Sequence, residues 1–144
     1  MVPGRVNLSI QVRLPHGHPQ GWAPVEIAIF CDSVLRGKPG LPRLAPMRRS
    51  GGEITAGFTA PVPVAAAHLH FTTGTGRWQE RRWESVPARI TRERGGGDSG
   101  DGEGGGTKGR VVARLPASRP ITFFIEVVDR RGVHASTPHE TIEE

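Results

Sequence analysis

The segment Ile121-Thr122-Phe123-Phe124-Ile125-Glu126-Val127-Val128 is the strongest strand pattern in the chain. Its odd-numbered residues are all apolar, which is the period of a strand with one face in a hydrophobic core. Phe124 and Val128 add apolar groups to the opposite face, so we expect this strand to lie in the middle of a sheet. A turn follows at residues 129–132, where Gly132 is free to adopt a positive φ.

Shorter strand patterns lie on both sides of this segment. They cover residues 54–58, 67–71, 82–90, 111–115 and 133–142. Pro87 interrupts the third pattern, and Pro138 makes the last one suitable only for a sheet edge. Twenty glycines and 13 prolines among 144 residues favour turns over long helices. Six short strands separated by turns predict a β-sandwich of immunoglobulin or fibronectin type III kind.

The N-terminal part of the chain has a different pattern. Between residues 5 and 14, every second residue is apolar, which predicts one half-buried strand. Residues 25–36 instead repeat apolar side chains at helical spacing, which predicts an amphipathic helix between Pro24 and Gly37. Its apolar stripe consists of Ile27, Phe30, Cys31, Val34 and Leu35. We therefore expect Cys31 to be a buried thiol, and Glu26 and Asp32 to be solvated charges.

Two further stretches are predicted to lack regular structure. Residues 38–50 contain three prolines and are expected to form a linker. Residues 94–109 contain nine glycines and no apolar side chain, so we expect a disordered loop. The predicted organisation is a strand, loop and helix over 1–37, the linker over 38–50, and the sandwich over 51–144.

Composition narrows the classes of partner. Nineteen basic and 14 acidic residues give a formal net charge of +5, but the basic residues are dispersed and accompany no nucleic-acid motif. We therefore expect no nucleic-acid partner. No run of 18 apolar residues is present, so no membrane span is expected. Cys31 is the only cysteine, which excludes a disulfide within the chain, and no cofactor is predicted.

The run Pro15-His16-Gly17-His18-Pro19-Gln20-Gly21-Trp22, which leads into the predicted helix, resembles the C-terminal end of bacterial α/β-hydrolases. The similar group comprises dienelactone hydrolases, acetylxylan esterases and prolyl-oligopeptidase-like proteins that carry a C-terminal sandwich. The segments His70-Phe71-Thr72-Thr73-Gly74-Thr75-Gly76-Arg77-Trp78 and Asp129-Arg130-Arg131-Gly132 resemble the same group. The resemblance covers nearly the whole chain outside the glycine-rich loop.

This resemblance implies that His16 or His18 is the general base of a serine hydrolase, on the loop between the last core strand and the last helix. The family also needs a serine within Gly-x-Ser-x-Gly and an acidic residue before the histidine. This sequence contains neither of them. We therefore expect a C-terminal fragment of an esterase or peptidase that is inactive alone, because a lone histidine cannot run the triad reaction.

The resemblance also implies a setting for the parent enzyme. Its substrate would be an acyl ester or a glycan. A secreted or periplasmic bacterial parent would carry its signal peptide upstream of Met1. The orphaned strand and helix would need another apolar surface, which makes self-association through them a further possibility.

A second class of function is a carbohydrate-binding or protein-interaction sandwich. Its candidate binding residues are Trp78, Trp83 and Arg82, since indole rings stack on sugars. The tryptophans are five residues apart, so on a regular strand they would face opposite sides. Exposed tryptophans on one flat face would favour this class.

The pairs His16/His18 and His68/His70 each have the His-x-His spacing that can chelate zinc on a strand. A third ligand is not evident at suitable spacing. We therefore predict no metal site, and place His68 and His70 on a solvated or half-covered sheet face.

Overall fold

The computed structural model describes residues 6–15, 17–92 and 107–144, and these ranges are mainly β. Two helices and one 3₁₀ turn are described: α1 His18–Trp22, α2 Val25–Arg36 and the turn Trp78–Glu80. The described strands are β1 Arg43–Leu44, β2 Arg48–Ser50, β3 Glu53–Ala60, β4 Val64–Thr72, β5 Glu84–Pro87, β6 Arg89–Arg92, β7 Thr107–Arg114, β8 Ile121–Asp129, β9 His134–Ser136 and β10 Glu140–Ile142. Neither helix is long and apolar enough to cross a membrane.

The strands form two antiparallel sheets of five strands each, the arrangement of a β-sandwich. Sheet A has the order β1-β3-β7-β6, and β2 also pairs with β3. Sheet B has the order β10-β8-β4-β5, and β9 also pairs with β8. The predicted mainly β class is therefore confirmed. The predicted central position of residues 121–128 is confirmed as well, because β8 has paired strands on both sides.

The hydrophobic core lies between the two sheets. Alternation along β3 and β7 turns Ile54, Phe58 and Val111 inward from sheet A. The same period on β8 turns Phe123 and Ile125 inward from sheet B, and both side chains are fully buried. Burial of a side chain of this kind contributes roughly 1.5–3 kcal/mol to folding. The outer face of sheet B is thereby left to the even-numbered residues of β4 and β8.

The weak strand predicted over residues 82–90 is two strands. β5 pairs with β4 in sheet B, whereas β6 pairs with β7 in sheet A. Pro87 ends β5 because it has no backbone N–H to continue the ladder. The chain then crosses from one sheet to the other. The predicted closing strand is also divided, into β9 and β10 on the edge of β8, with Pro138 between them.

Parts of the predicted linker and loop pair with sheet A. Both β1 and β2 lie within residues 38–50 and bond to β3. Residues 94–106 of the predicted loop lie outside the described residues, but β7 begins at Thr107. Glycine suits position 109 because a Cβ there would stand 2.6 Å from the Thr91 carbonyl oxygen and 2.7 Å from the Phe58 ring.

The predicted N-terminal strand does not form in the described residues 6–15. This segment lies beside β9, and Ser136 N donates to the Leu8 carbonyl at 2.9 Å. The next bond runs from Ile10 N to the Ser136 hydroxyl at 3.0 Å, so a side chain replaces the backbone acceptor that a ladder needs. Arg13 then turns the chain with a φ of 65°.

Helix α2 has the predicted bounds, with Pro24 before it and Gly37 ending it at a φ of 64°. Its orientation differs from the prediction, because most of the predicted apolar stripe is exposed and only Phe30 of that stripe is partly buried. Glu26 is buried at 6% exposure, whereas Leu35 is 80% exposed and Cys31 is also exposed. The expectations of a solvated Glu26 and a buried Cys31 are therefore wrong. The reason is that Glu26 accepts hydrogen bonds from His134 N at 2.7 Å and Gln11 Nε2 at 3.2 Å.

Candidate functional site

Three histidines surround one carboxylate on the outer face of sheet B. We call His68, His70, His134 and Glu126 the His–Glu cluster. His70 Nε2 donates to Glu126 Oε2 at 2.9 Å, and His134 Nδ1 donates to Glu126 Oε1 at 2.8 Å. His68 Nδ1 lies 3.5 Å from Glu126 Oε2. It is buried and makes no hydrogen bond to any described residue. The cluster therefore places two imidazole nitrogens beside a single carboxylate oxygen.

Strand alternation and register bring these residues together. His68 and His70 are two residues apart on β4, so both point away from the core. Glu126 stands directly opposite His68 in the β4–β8 pairing. His134 enters from β9, which pairs with the other edge of β8. Because all four side chains project from neighbouring positions of one face, they meet without a loop.

The expectation of a solvated or half-covered face fits His68 but is wrong for His70. His70 is buried at 7% exposure, and its ring stacks on Phe124 with centroids 4.9 Å apart. His68 is partly covered. Residues 11–13 and 23–26, which were predicted to belong to a separate domain, line a cleft together with His70. Glu126, the missing third group, was visible as the one charged residue within an apolar strand, but its register with His68 was not.

The electrostatics of the cluster favour an ionised Glu126. Burial acts to raise the pKa of this carboxyl group. Hydrogen bonds from His70 and His134, together with the charge of these imidazoles, outweigh burial and hold the pKa below its ordinary value of 4.5. A carboxylate in this state can accept two hydrogen bonds or bind a cation.

A cleft of about 450 Å³ opens beside the cluster. It lies between sheet B and the N-terminal region, and Arg13 Nη2 bonds to the Trp83 carbonyl at 2.8 Å along it. Polar and apolar groups share its lining about equally, and the polar ones are Gln11, Arg13, Glu26, His70, Ser85, Glu126 and His134. The cleft gives the cluster access to a small polar ligand or to water.

Ser85, His70 and Glu126 form a chain of hydroxyl, imidazole and carboxylate. Ser85 Oγ lies 2.7 Å from His70 Nδ1, and His70 Nε2 bonds to Glu126 as described above. Hydrolytic triads use the same three groups. Here the serine lies within strand β5 rather than on a strand-to-helix elbow, and it meets the nitrogen that normally faces the acid. The arrangement can relay a proton, but Ser85 lacks the elbow setting of an α/β-hydrolase nucleophile.

The histidine pair predicted as catalytic lies elsewhere. His16 lies outside the described residues. His18 is the first residue of α1 and is exposed. No hydroxyl or carboxylate of the described residues hydrogen-bonds to its ring. The described ranges therefore show no catalytic pairing of His18.

The tryptophans predicted to face opposite sides stack on each other. The Trp78 and Trp83 rings are 5.7 Å apart with an interplanar angle of 20°. The 3₁₀ turn removes the regular strand on which the prediction depended. Arg81 covers Trp78, with its guanidinium carbon 4.6 Å from the ring centroid. Arg82 is exposed.

Comparisons with protein-family models, with curated proteins and with solved structures find no match to this chain. The functional interpretation therefore depends on the residues and contacts described above.

Proposed function

We propose that this chain is the C-terminal part of an α/β-hydrolase-like esterase or peptidase, and that residues 6–36 are its contact with the catalytic domain. The two-sheet body would be an accessory sandwich of immunoglobulin or fibronectin III kind. His16 or His18 would complete a triad whose serine and acid belong to the catalytic domain. The chain alone lacks both groups in the required setting, so we propose that it is inactive by itself.

The exposure of most of the apolar stripe of α2 is the observation that carries this proposal. Ten large apolar side chains are exposed in the described residues, and eight of them lie between residues 6 and 35. They are Val6, Leu8, Leu14, Trp22, Val25, Ile27, Val34 and Leu35. Exposed apolar side chains concentrated in this way mark an interaction surface rather than a solvent-facing one.

The shape of this surface also supports a protein partner. Residues 6–14 and α2 form the two walls of a groove of about 550 Å³. Its lining is largely apolar and includes Leu8, Leu14, Ile27, Phe30 and Leu41. In an α/β-hydrolase the corresponding segment and helix would pack on the central parallel sheet. We propose that this sheet, an apolar surface of strands, covers the groove.

The polar groups of the same region already form hydrogen bonds with the sandwich. Glu26 bonds to β9 as described above, and Arg131 donates to the Pro39 and Gly40 carbonyls at 2.8 and 2.6 Å. Asp129 holds this guanidinium through two hydrogen bonds. Because polar bonds fix the region to the sandwich, the apolar side is left facing outward.

A carbohydrate-binding function has less support. Trp78 is 47% exposed, which is the one feature in its favour. A sugar needs a free ring face, but Trp83 and Arg81 already contact the Trp78 ring. His139 lies against it edge-on, with centroids 5.0 Å apart.

Ester hydrolysis tests the proposal. The reading frame extended upstream of Met1 would be expressed beside this chain, and both would be assayed with para-nitrophenyl acetate. We expect turnover only in the extended protein, abolished there by His16→Ala or His18→Ala. The proposal is overturned if the extended frame encodes no Gly-x-Ser-x-Gly, or if this chain alone turns over ester and loses that activity in either variant. Ser85→Ala would reveal any turnover that arises from the Ser85 relay instead.

A further inference from the structure

We propose that His68, His70 and Glu126 form a binding site for one divalent transition-metal ion, with zinc the best match. One ring nitrogen from each histidine and one Glu126 carboxylate oxygen lie within 4.8 Å of one another. The nitrogens that face Glu126 Oε2 are His68 Nδ1 and His70 Nε2. This site is independent of the catalytic assignment above.

The ligand set and its spacing fit zinc. Two imidazoles and one carboxylate, with water in a fourth position, are a common ligand set of open zinc sites. Metal–ligand distances near 2.0–2.1 Å place tetrahedral ligands roughly 3.3 Å apart. Glu126 Oε2 is 2.9 Å from His70 Nε2 and 3.5 Å from His68 Nδ1. Small side-chain rotations would therefore complete the geometry, and the neighbouring cleft has room for the water.

The orphaned nitrogen of His68 is a second, independent observation. Buried polar atoms nearly always have a hydrogen-bond partner. His68 Nδ1 has none among the described residues, although it points toward the same carboxylate oxygen that His70 uses. An ion between the three groups would give this nitrogen its partner.

The groups that hydrogen-bond to the candidate ligands are of the kind found around metal sites. A metal-binding histidine usually donates its other ring N–H to a neighbouring oxygen, which fixes the ring. Ser85 Oγ stands 2.7 Å from His70 Nδ1 in the position to accept that hydrogen. His134 Nδ1 holds the second oxygen of Glu126 at 2.8 Å. To bind the ion, His70 must release the proton on Nε2 and carry its hydrogen on Nδ1, facing Ser85.

Calorimetric titration of the chelator-treated chain with zinc tests the site. We expect one ion per chain, with binding weakened more than 100-fold by His68→Ala and about 10- to 100-fold by Ser85→Ala. His68→Ala is the most informative variant, because it removes a ligand atom that makes no hydrogen bond to the described residues. His18→Ala and His139→Ala replace exposed histidines and should bind zinc as the parent chain does.

A measurement on the unaltered chain keeps the test independent of variant folding. Long-range ¹⁵N NMR spectra of the imidazoles should show zinc on Nδ1 of His68 and on Nε2 of His70. Unchanged affinity in His68→Ala, zinc signals only from His16 or His18, or no binding by the parent chain would each overturn the proposal.

Discussion

Residues 6–36 and the two sheets bury opposite kinds of side chain. Between the sheets, Phe123 and Ile125 are fully buried and belong to one continuous apolar core. In the described part of residues 6–36, the one buried residue is Glu26, while Val34 and Leu35 at the end of α2 are exposed. Apolar contacts hold the two sheets together, whereas hydrogen bonds attach the N-terminal region to the sandwich.

This difference separates the part of the molecule whose apolar side chains are buried within the chain from the part whose apolar side chains are left exposed. A sandwich of this size can supply its own stability from the area it buries. A helix gains most of its stability from packing its apolar face, and α2 has not packed that face on the sandwich. We therefore expect the N-terminal region to reach its full stability only when its outward apolar surface is covered.

The largest expected difference in the free energy of unfolding is between two truncation variants, one in each region. Phe123→Ala removes a fully buried ring and should lower the free energy of unfolding by about 3–5 kcal/mol. Leu35→Ala removes an exposed side chain and should change it by no more than about 0.5 kcal/mol. Urea denaturation followed by tryptophan fluorescence measures both. Similar losses in the two variants would contradict the contrast between the regions.

Glu126→Gln tests the polar cluster on the outer face of sheet B. Hydrogen bonds to a charged group contribute about 1.5–3 kcal/mol, and Glu126 accepts two of them from side chains. The folded pKa of Glu126 lies below its ordinary value, so its ionised form stabilises the fold above pH 4.5, and this contribution is lost as the pH falls through the folded pKa. Thermal melts across acid pH should therefore show a smaller difference between the parent chain and Glu126→Gln at low pH.

The matched control for this experiment is Glu53→Gln, since Glu53 is exposed. Its melting temperature should follow that of the parent chain at every pH. A constant difference between Glu126→Gln and the parent chain across the acid range would contradict the ionised state assigned to Glu126.

Glu26→Ala should loosen the N-terminal region and leave the sheets intact. The change leaves the partly buried His134 N–H without its acceptor, which costs at most about 1–3 kcal/mol. Hydrogen exchange should accelerate in α2 and not in β4 or β8. Asp32→Asn is the control, because Asp32 makes only exposed ion pairs with Arg36 and Lys38 and these contribute about 0–1 kcal/mol. Equal exchange in both variants would show that Glu26 does not hold the helix.

The smallest effect on stability is expected from Leu35→Lys, which places a charge on the outward surface. Light scattering should show less self-association at high concentration, with an unchanged melting temperature. Val86→Lys changes another exposed apolar residue, on β5 and away from this surface, and should leave self-association as it was. If the two variants behave alike, the N-terminal surface has no special role in association.

The fold of the sheets was accessible from the sequence because alternation reports which face of a strand is buried. Phe123 and Ile125 follow that rule, as do the residues of β3 and β7. The bounds of α2 were accessible for a similar reason, since Pro24 and Gly37 mark its ends. Its orientation was not, because periodicity identifies an apolar stripe but cannot say whether the chain itself covers it.

Only part of the His–Glu cluster could be predicted from the sequence. The His68/His70 pair was visible from its spacing. Glu126, His134 and Ser85 come from three other strands, and their approach depends on register and strand order. Neither property is encoded in local pattern, so the third ligand could not be found before the sheets were known.

The reactivity of Cys31 tests the central claim most directly, because this thiol lies on the outward stripe of α2. Its labelling by a water-soluble thiol reagent would be timed in this chain and in the protein extended upstream of Met1. We expect rapid labelling in this chain and at least tenfold slower labelling in the extended protein, where the proposed catalytic domain would cover the stripe. Slow labelling in both would show that the sandwich buries the stripe, and rapid labelling in both would show that no catalytic domain docks there.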